Sequence, residues 1–423
     1  MEIEKKVKIL SWIMLFFVTL IYYFANMQKV LVPGATFDEI QQAFNLDASS
    51  VTRLGAIFLC VYAAGQLVAG LLADRYSGTR VIIFGGLVFC VGSLLSAYTG
   101  SYTLLCFSRF MTGLGAAAIY LSMVKEIARV TGSSLPFWIG IATIIGYSGA
   151  ITGATPFIAG VKHFGYERMM LVAGITTIVV YAGFLLTVSK MKLPPVCHEV
   201  KFSLSSYGMF FKRRHNIFLG GAIGINFGTY FALQSIIGKK FLQDFCNLSS
   251  ESAGIVLTVT MIIAAVNGFI LANLSRMAGN RRRPFLHFSS FGCLAGALMI
   301  FAAVLFDIKH PFLSVSGMLL LAFAGNVSPI FVALVKETNE EHRFGTVLSI
   351  NNSFAYAVTA VFGSILGRLM DCYAPQVINN VSVYGRNSYL LVFGVLLLLI
   401  AISVIFSLFL KESYGKNIAD KVR

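Results

Sequence analysis

The sequence predicts an all-α membrane protein, with about twelve transmembrane helices in two pseudo-symmetric six-helix bundles. Three observations carry this. The 423-residue chain is 57% hydrophobic and 12% charged, whereas soluble domains average about 25% charged residues. A water-surrounded core has no room for that much apolar surface, so lipid must be the solvent for much of it. Apolar runs of roughly 20 residues recur along the chain, the length a helix needs to cross ~30 Å of hydrocarbon at ~1.5 Å per residue. A charged hinge joins two of these runs at Gly70-Leu71-Leu72-Ala73-Asp74-Arg75-Tyr76-Ser77-Gly78-Thr79-Arg80. It returns almost half a chain later as Ser275-Arg276-Met277-Ala278-Gly279-Asn280-Arg281. A repeated hinge between spans marks two related halves.

The elements follow in order. The run 9–32 is too long for the core of a cleaved signal peptide and lacks its small-residue cleavage site, so it is the first helix. Within it Tyr22, Asn26 and Lys29 share one face, and Pro33 marks its end. Phe37, Ile40, Ala43 and Phe44 recur at helical spacing, so a helix continues or restarts there. Runs 51–73 and 81–100 flank the first hinge. Run 102–124 carries Arg109, 135–160 carries Tyr147, and 168–189 completes an N-terminal bundle over 1–189. The polar stretch 190–216, with Pro194-Pro195 and Lys212-Arg213-Arg214, reads as a cytoplasmic linker. An amphipathic helix on the inner surface is a second reading for part of it. Runs 217–240, 252–275, 284–306, 311–335, 346–370 and 388–411 build a C-terminal bundle over 217–411, leaving a cytoplasmic tail, 412–423. The alternating strands of a membrane barrel are absent.

The net charge of +15 would suggest nucleic acid in a soluble protein. Here the basic residues concentrate in alternate loops, the positive-inside pattern, which puts both termini in the cytoplasm. Short termini and the lack of large loops suit a bacterial inner membrane, with an organelle membrane as the alternative. The seven cysteines show no metal spacing; Cys246 and Cys372 fall in outer loops and could pair. The histidines are scattered, no nucleophile–base spacing occurs, and no phosphate-binding Walker loop is present. The sequence therefore suggests neither an enzyme nor a cofactor, and neither a metal nor a nucleic-acid partner.

The first hinge resembles the signature loop of the major facilitator superfamily, with Gly70, Asp74, Arg75 and Arg80 at matching places. Arg109-Phe110-Met111-Thr112-Gly113-Leu114-Gly115 is similar to that family's fourth-helix Arg-x-x-x-Gly-x-Gly, and Pro156 to Arg168 to the junction of its fifth and sixth helices. Gly149, Gly153, Pro156 and Gly160 lack the adjacent Gly-Pro of its proton-antiporter signature. The Tyr-rich first helix ending at Pro33 looks closer to the organic-anion and sugar-phosphate branches, although Ala25 stands where those carry an arginine. The resemblance implies two six-helix bundles, one central site and alternating access. It points to a secondary active transporter working as a monomer, with a small-molecule solute and the lipid bilayer as its partners.

Lys29 is the first choice for holding an anionic group, because an ammonium is costly in lipid and should face a watery cavity. The alternative is a cation snorkelling to the outer surface. Arg109 either binds a substrate carboxylate or sets the pKa of a partner, or it is a structural arginine on backbone carbonyls and neighbouring helices. Asn226, Tyr230 and Gln234 in the seventh run, and Asn352 and Tyr356 in the eleventh, are further binding candidates with Tyr22, Asn26 and Tyr147; interhelical hydrogen bonding is the alternative for each. Lys239 and Lys240 read as an ordinary solvated helix end. Gly70, Asp74, Arg75, Arg80, Arg276 and Arg281 are the gating candidates. No Asp or Glu lies near the middle of a span, so protons or another coupling ion remain open. The solute reads as small, polar and anionic. The rivals are an exporter of amphipathic compounds and a sensor that binds solute without moving it.

Overall fold

A computed structural model describes residues 2–98, 100–131, 135–191, 213–339, 344–378 and 381–419. Among these, 12 helical segments are long and apolar enough to cross a membrane: Val7–Ala35, Ala48–Gly70, Gly78–Leu95, Tyr102–Thr131, Trp138–Phe164, Tyr166–Val188, Arg214–Asp244, Ser250–Met277, Arg283–Leu305, Pro311–Thr338, Val347–Met370 and Arg386–Leu408. They are called the first to twelfth spans below. The protein is an integral multi-pass helical membrane protein. Most of the 190–216 stretch, with its expected surface helix, lies outside the described residues.

The chain forms two compact units, Met1–Thr36 with Ile57–Phe202 and Phe37–Ala56 with Ser203–Arg423. Each repeats the same packing. In the first unit the third span packs on the fourth, the first on the fifth and sixth, and the third on the sixth. In the second unit the ninth packs on the tenth, the seventh on the eleventh and twelfth, and the ninth on the twelfth. Membrane helices gain no hydrophobic drive by meeting, so close backbone approach at small residues must hold them. A Cβ on Gly113 would lie 2.6 Å from the Phe58 carbonyl oxygen, and one on Gly149 would strike the Tyr23 carbonyl. Gly149→Val is therefore expected to wedge the first and fifth spans apart. Its overproduction should yield little monodisperse protein on size-exclusion chromatography; a wild-type yield would refute this account of the contact.

Two of the spans are broken where a proline removes a donor. Helix Glu2–Val30 gives way to a wide π-type turn, Leu31–Ala35, with Val32 at φ −124°, ψ 117°. Pro33 has no N–H, so carbonyls one turn earlier need other donors. The seventh span carries a π-type turn at the matching place, Leu233–Ile237. The tenth breaks between Gly325 and Ser328, ahead of Pro329. There Asn267 donates to the Phe323 carbonyl and Asn326 donates to the Ala264 carbonyl at 2.9 Å, so side-chain amides replace lost backbone bonds.

Two features between spans add to the sequence reading. The expected restart is present as helix Phe37–Phe44. A small antiparallel hairpin, β1 (Gln376–Ile378) and β2 (Val381–Val383), stands in the loop before the twelfth span. The hairpin was not expected, although β-branched residues on both sides of Asn379-Asn380 are a legible hairpin signal.

Candidate functional site

Helix periodicity brings Tyr22, Asn26 and Lys29 onto one face of the first span, and the structure gathers aromatic residues of three other spans around them. Lys29 is 4% exposed. Its Nζ donates to the Tyr62 hydroxyl at 3.1 Å and to Asn26 Oδ1 at 3.4 Å, and it lies 4.2 Å from the centre of the Tyr62 ring. Asn26 in turn donates to the Tyr22 carbonyl at 2.9 Å. The Tyr22 ring stands 5.3 Å from that of Tyr120, and the Tyr147 hydroxyl is an electrostatic neighbour of the Tyr120 hydroxyl. Gly146 gives Tyr22 and Asn26 room to press on the fifth span, since a Cβ there would meet both. The lysine therefore does not snorkel outward. It is held inside the first unit by the Tyr62 phenol and the Asn26 amide, and a phenol can stabilise an ammonium and also hydrogen-bond an oxygen of an anion beside it.

Arg109 is fully buried, and its bonding explains the break in the first span. One terminal nitrogen donates to the carbonyls of Gln28 at 3.1 Å and Val32 at 3.0 Å; the other reaches Gln28 Oε1 at 3.4 Å. The guanidinium lies 4.4 Å over the Phe58 ring. These carbonyls flank Lys29, so Arg109 fixes the backbone that aims the lysine.

In the second unit the candidates divide. Asn226 is wholly occupied by three serines: its Nδ2 donates to Ser289 Oγ at 3.2 Å and Ser290 Oγ at 3.0 Å, and Ser403 Oγ donates to its Oδ1 at 2.5 Å. Gln234 donates to the Leu257 carbonyl at 3.1 Å and accepts from Thr260. Both join the seventh span to its neighbours, and both N–H donors of Asn226 are taken up by serines. Tyr230 and Tyr356 belong instead to an aromatic group. Tyr356 meets Phe227 and Phe231 edge-on at 5.5 and 5.8 Å, and Tyr230 meets Phe227 at 6.5 Å. Asn352, one turn before Tyr356, is half-buried.

The seventh span ends in a cluster that contradicts the expected solvated end. Lys239 and Lys240 are each about 1% exposed. Lys240 bridges Asp38 at 2.9 Å and Asp244 at 3.0 Å, and Lys239 reaches Glu39 at 3.4 Å. Asp244 also accepts from the Tyr384 N–H at 2.9 Å and the Tyr389 hydroxyl at 3.0 Å. Asp371 accepts from the N–H groups of Ala48 at 3.1 Å and Ser49 at 2.7 Å, capping the helix that begins there. Burial, and then the neighbouring Asp371 carboxylate, push the Tyr384 phenol well above its ordinary range. It therefore stays protonated and donates to Asp371 at 3.0 Å while accepting from the Ala48 N–H at 2.9 Å. Segment 37–56 is thus clasped by buried charge. Cys246 and Cys372 are free thiols.

At the hinges, the side chain of Asp74 lies outside the described residues. A Cβ added at Gly70 would lie 3.5 Å from Leu121 Cδ1, an ordinary contact. Arg75 lies 5.3 Å from the centre of the Tyr76 ring, and Arg80 donates to the Tyr76 carbonyl at 3.1 Å. The residue that caps the next helix was missed: Glu126 accepts from the Thr79 N–H at 2.7 Å and pairs with Arg129 at 2.7 Å. In the second hinge Arg276 and Arg281 are exposed. The ion pair there belongs to the neighbouring Arg282, 2.9 Å from Glu337, while Glu412 accepts from the Arg282 and Arg283 N–H groups at 2.8 and 3.0 Å. The matching Lys125-Glu126 and Lys336-Glu337 pairs, each near the end of its span, were the sequence signal for both glutamates.

Three kinds of likeness to known proteins fit this geometry. The family model described as Major Facilitator Superfamily matches residues 12–364. Human monocarboxylate transporter 2 is 30% identical over 140 residues, 33% of this chain and 29% of that protein. The 3-(3-hydroxy-phenyl)propionate transporter of Escherichia coli (strain K12) is 29% identical over 150 residues, 34% of this chain and 36% of that protein. The chain thus matches only about a third of the length of these two relatives. The riboflavin transporter RibZ of Clostridioides difficile (strain 630) is 22% identical over 456 residues, 94% of this chain and 97% of that protein. Among solved structures, a bacterial homolog of the human lysosomal transporter Spinster, inward-facing and unoccupied, superposes with a TM-score of 0.72 at 15% identity, covering 98% of this chain and 97% of that one. That likeness shows the fold alone.

Proposed function

The chain belongs to the Major Facilitator Superfamily, and on that premise we propose that it is a secondary active transporter of a small organic anion, a monocarboxylate, working by alternating access. The single observation that supports the anion is Lys29, a buried ammonium 3.1 Å from the Tyr62 hydroxyl and 3.4 Å from the Asn26 amide oxygen. A carboxylate beside it would gain a charge-assisted hydrogen bond where water is scarce. The names of two relatives, a monocarboxylate transporter and a phenylpropionate transporter, point to the same ligand chemistry. On this reading the protein sits in a bacterial inner membrane with both termini in the cytoplasm, as a monomer. Its halves, 1–189 and 217–411, are joined by the 190–216 linker.

Alternation needs two states that solute and ion gradients can bias. Swinging a 1:99 population to 99:1 takes about 5.5 kcal/mol of differential binding. The paired hinges are the elements that bias acts on, with Glu126 and Glu337 holding the helix that follows each. Asp74→Asn is expected to leave expression unchanged and slow uptake roughly five- to tenfold, the scale of a coupling of 1 to 1.4 kcal/mol. Wild-type rates in that variant would remove the hinge from the mechanism.

Uptake of radiolabelled lactate and benzoate into proteoliposomes, with and without an imposed pH gradient, tests the transport reading. A transporter accumulates label above equilibrium binding, and stimulation by an inward proton gradient identifies the coupling ion. Saturable binding without accumulation would identify a sensor instead.

A further inference from the structure

The flank of the first unit carries a cavity of 710 Å³ that the solute reading does not use. Its walls are Ala64 and Val68 of the second span, Phe84 and Val88 of the third, and Phe110 and Leu114 of the fourth. Val68, Phe84, Phe110 and Leu114 are exposed, so the cavity opens along the surface that the bilayer covers. Its one charged end is the hinge, where Tyr76 and Arg80 complete the lining. The bond from Arg80 to the Tyr76 carbonyl holds that guanidinium at the mouth, and Arg75 lies 5.3 Å from the centre of the same tyrosine ring.

We propose that this cavity holds one acyl chain of an anionic phospholipid whose phosphate rests at Arg80. The slot is lined by aliphatic and phenyl groups, with no polar side chain short of the hinge among those that line it. A flexible hydrocarbon chain can follow it. Among the described side chains of the hinge, Arg80 lines the mouth, Arg75 lies by Tyr76, and Lys125 donates to the Ala73 carbonyl at 2.7 Å, while the acid is Glu126. Glu126 is 1% exposed and already occupied by Thr79 and Arg129. The local field therefore favours a phosphodiester without a compensating ammonium. A basic residue near a membrane surface contributes about 1 kcal/mol towards an anionic lipid, roughly fivefold in affinity. The inference stands apart from the Lys29 reading, because it needs neither a solute nor transport.

Native mass spectrometry of the full chain tests it, with equimolar phosphatidylglycerol and phosphatidylcholine of identical acyl chains. Wild type should retain phosphatidylglycerol at least about fivefold over phosphatidylcholine. Arg80→Gln should bring the two towards parity. Ala64→Phe fills the slot from an exposed position and should lose the retained lipid of either kind, with an unchanged thermal midpoint. Val68→Trp at the rim serves the same purpose if Ala64→Phe does not fold. Equal retention of both lipids by wild type, an unaltered preference in Arg80→Gln, undiminished retention in the filled variant, or a dimer in place of the lipid adduct would each overturn the proposal.

Discussion

Lys240→Met is expected to destabilise the second unit by about 3–5 kcal/mol, the cost of leaving buried charge without its partner. Lys240 is 1% exposed and stands 2.9 Å from Asp38 and 3.0 Å from Asp244, whose side chains are 18% and 4% exposed. Removing the ammonium leaves two carboxylates facing one another across an apolar methionine. Asp244 keeps its bonds from Tyr384 and Tyr389, so Asp38 is the carboxylate left without compensation. Asp38→Asn in the Lys240→Met background should therefore recover part of the loss. Lys239→Met should cost about 1 kcal/mol or less, because Glu39 is 27% exposed and 3.4 Å away, where solvent screens the pair. Thermal unfolding in detergent, followed by intrinsic fluorescence, reads all three. A Lys240→Met protein that melts with wild type would show that the clasp carries no net stability.

Lys29→Met should abolish uptake of monocarboxylate while leaving the fold intact. The ammonium is held by neutral groups, Tyr62 and Asn26, and methionine has a similar length without the charge. A hydrogen bond to a charged partner contributes about 1.5–3 kcal/mol, so the dissociation constant should rise roughly 10- to 150-fold. Lys29→Arg keeps the charge but alters reach and geometry, and should retain part of the binding. Ligand-induced thermal shifts measure affinity, and the unliganded melting temperature reports the fold separately. An unchanged shift in Lys29→Met would place the anion elsewhere.

Much of the fold was legible because lipid imposes a coarse rule: spans must be long, apolar and helical, and Pro33 and Pro329 mark where they break. The shared face of Tyr22, Asn26 and Lys29 was legible for the same reason, since helical spacing fixes it. Partner choice was not. Nothing local in the sequence says that Asn226 is spoken for by Ser289, Ser290 and Ser403, which lie on two other spans. Nor does the seventh span reveal that Lys240 meets Asp38, a residue 202 positions away. A lysine at a helix end looks solvated until tertiary packing brings it a carboxylate. The repeated Lys-Glu pairs at 125–126 and 336–337 show that comparing the two halves residue by residue recovers some of what single-span reading leaves out.

Segment 37–56 leaves the unit that precedes and follows it in the chain to be fastened into the other one. The connection there is a borrowed arm. If the gene were divided within the linker, the amino-terminal fragment would still carry that arm, and the carboxy-terminal fragment the socket of Lys240, Asp371 and Tyr384 that receives it. Co-expressed fragments should therefore reassemble without a peptide bond between them, and deleting the arm from the first fragment should leave the second with an open socket and no means of capture.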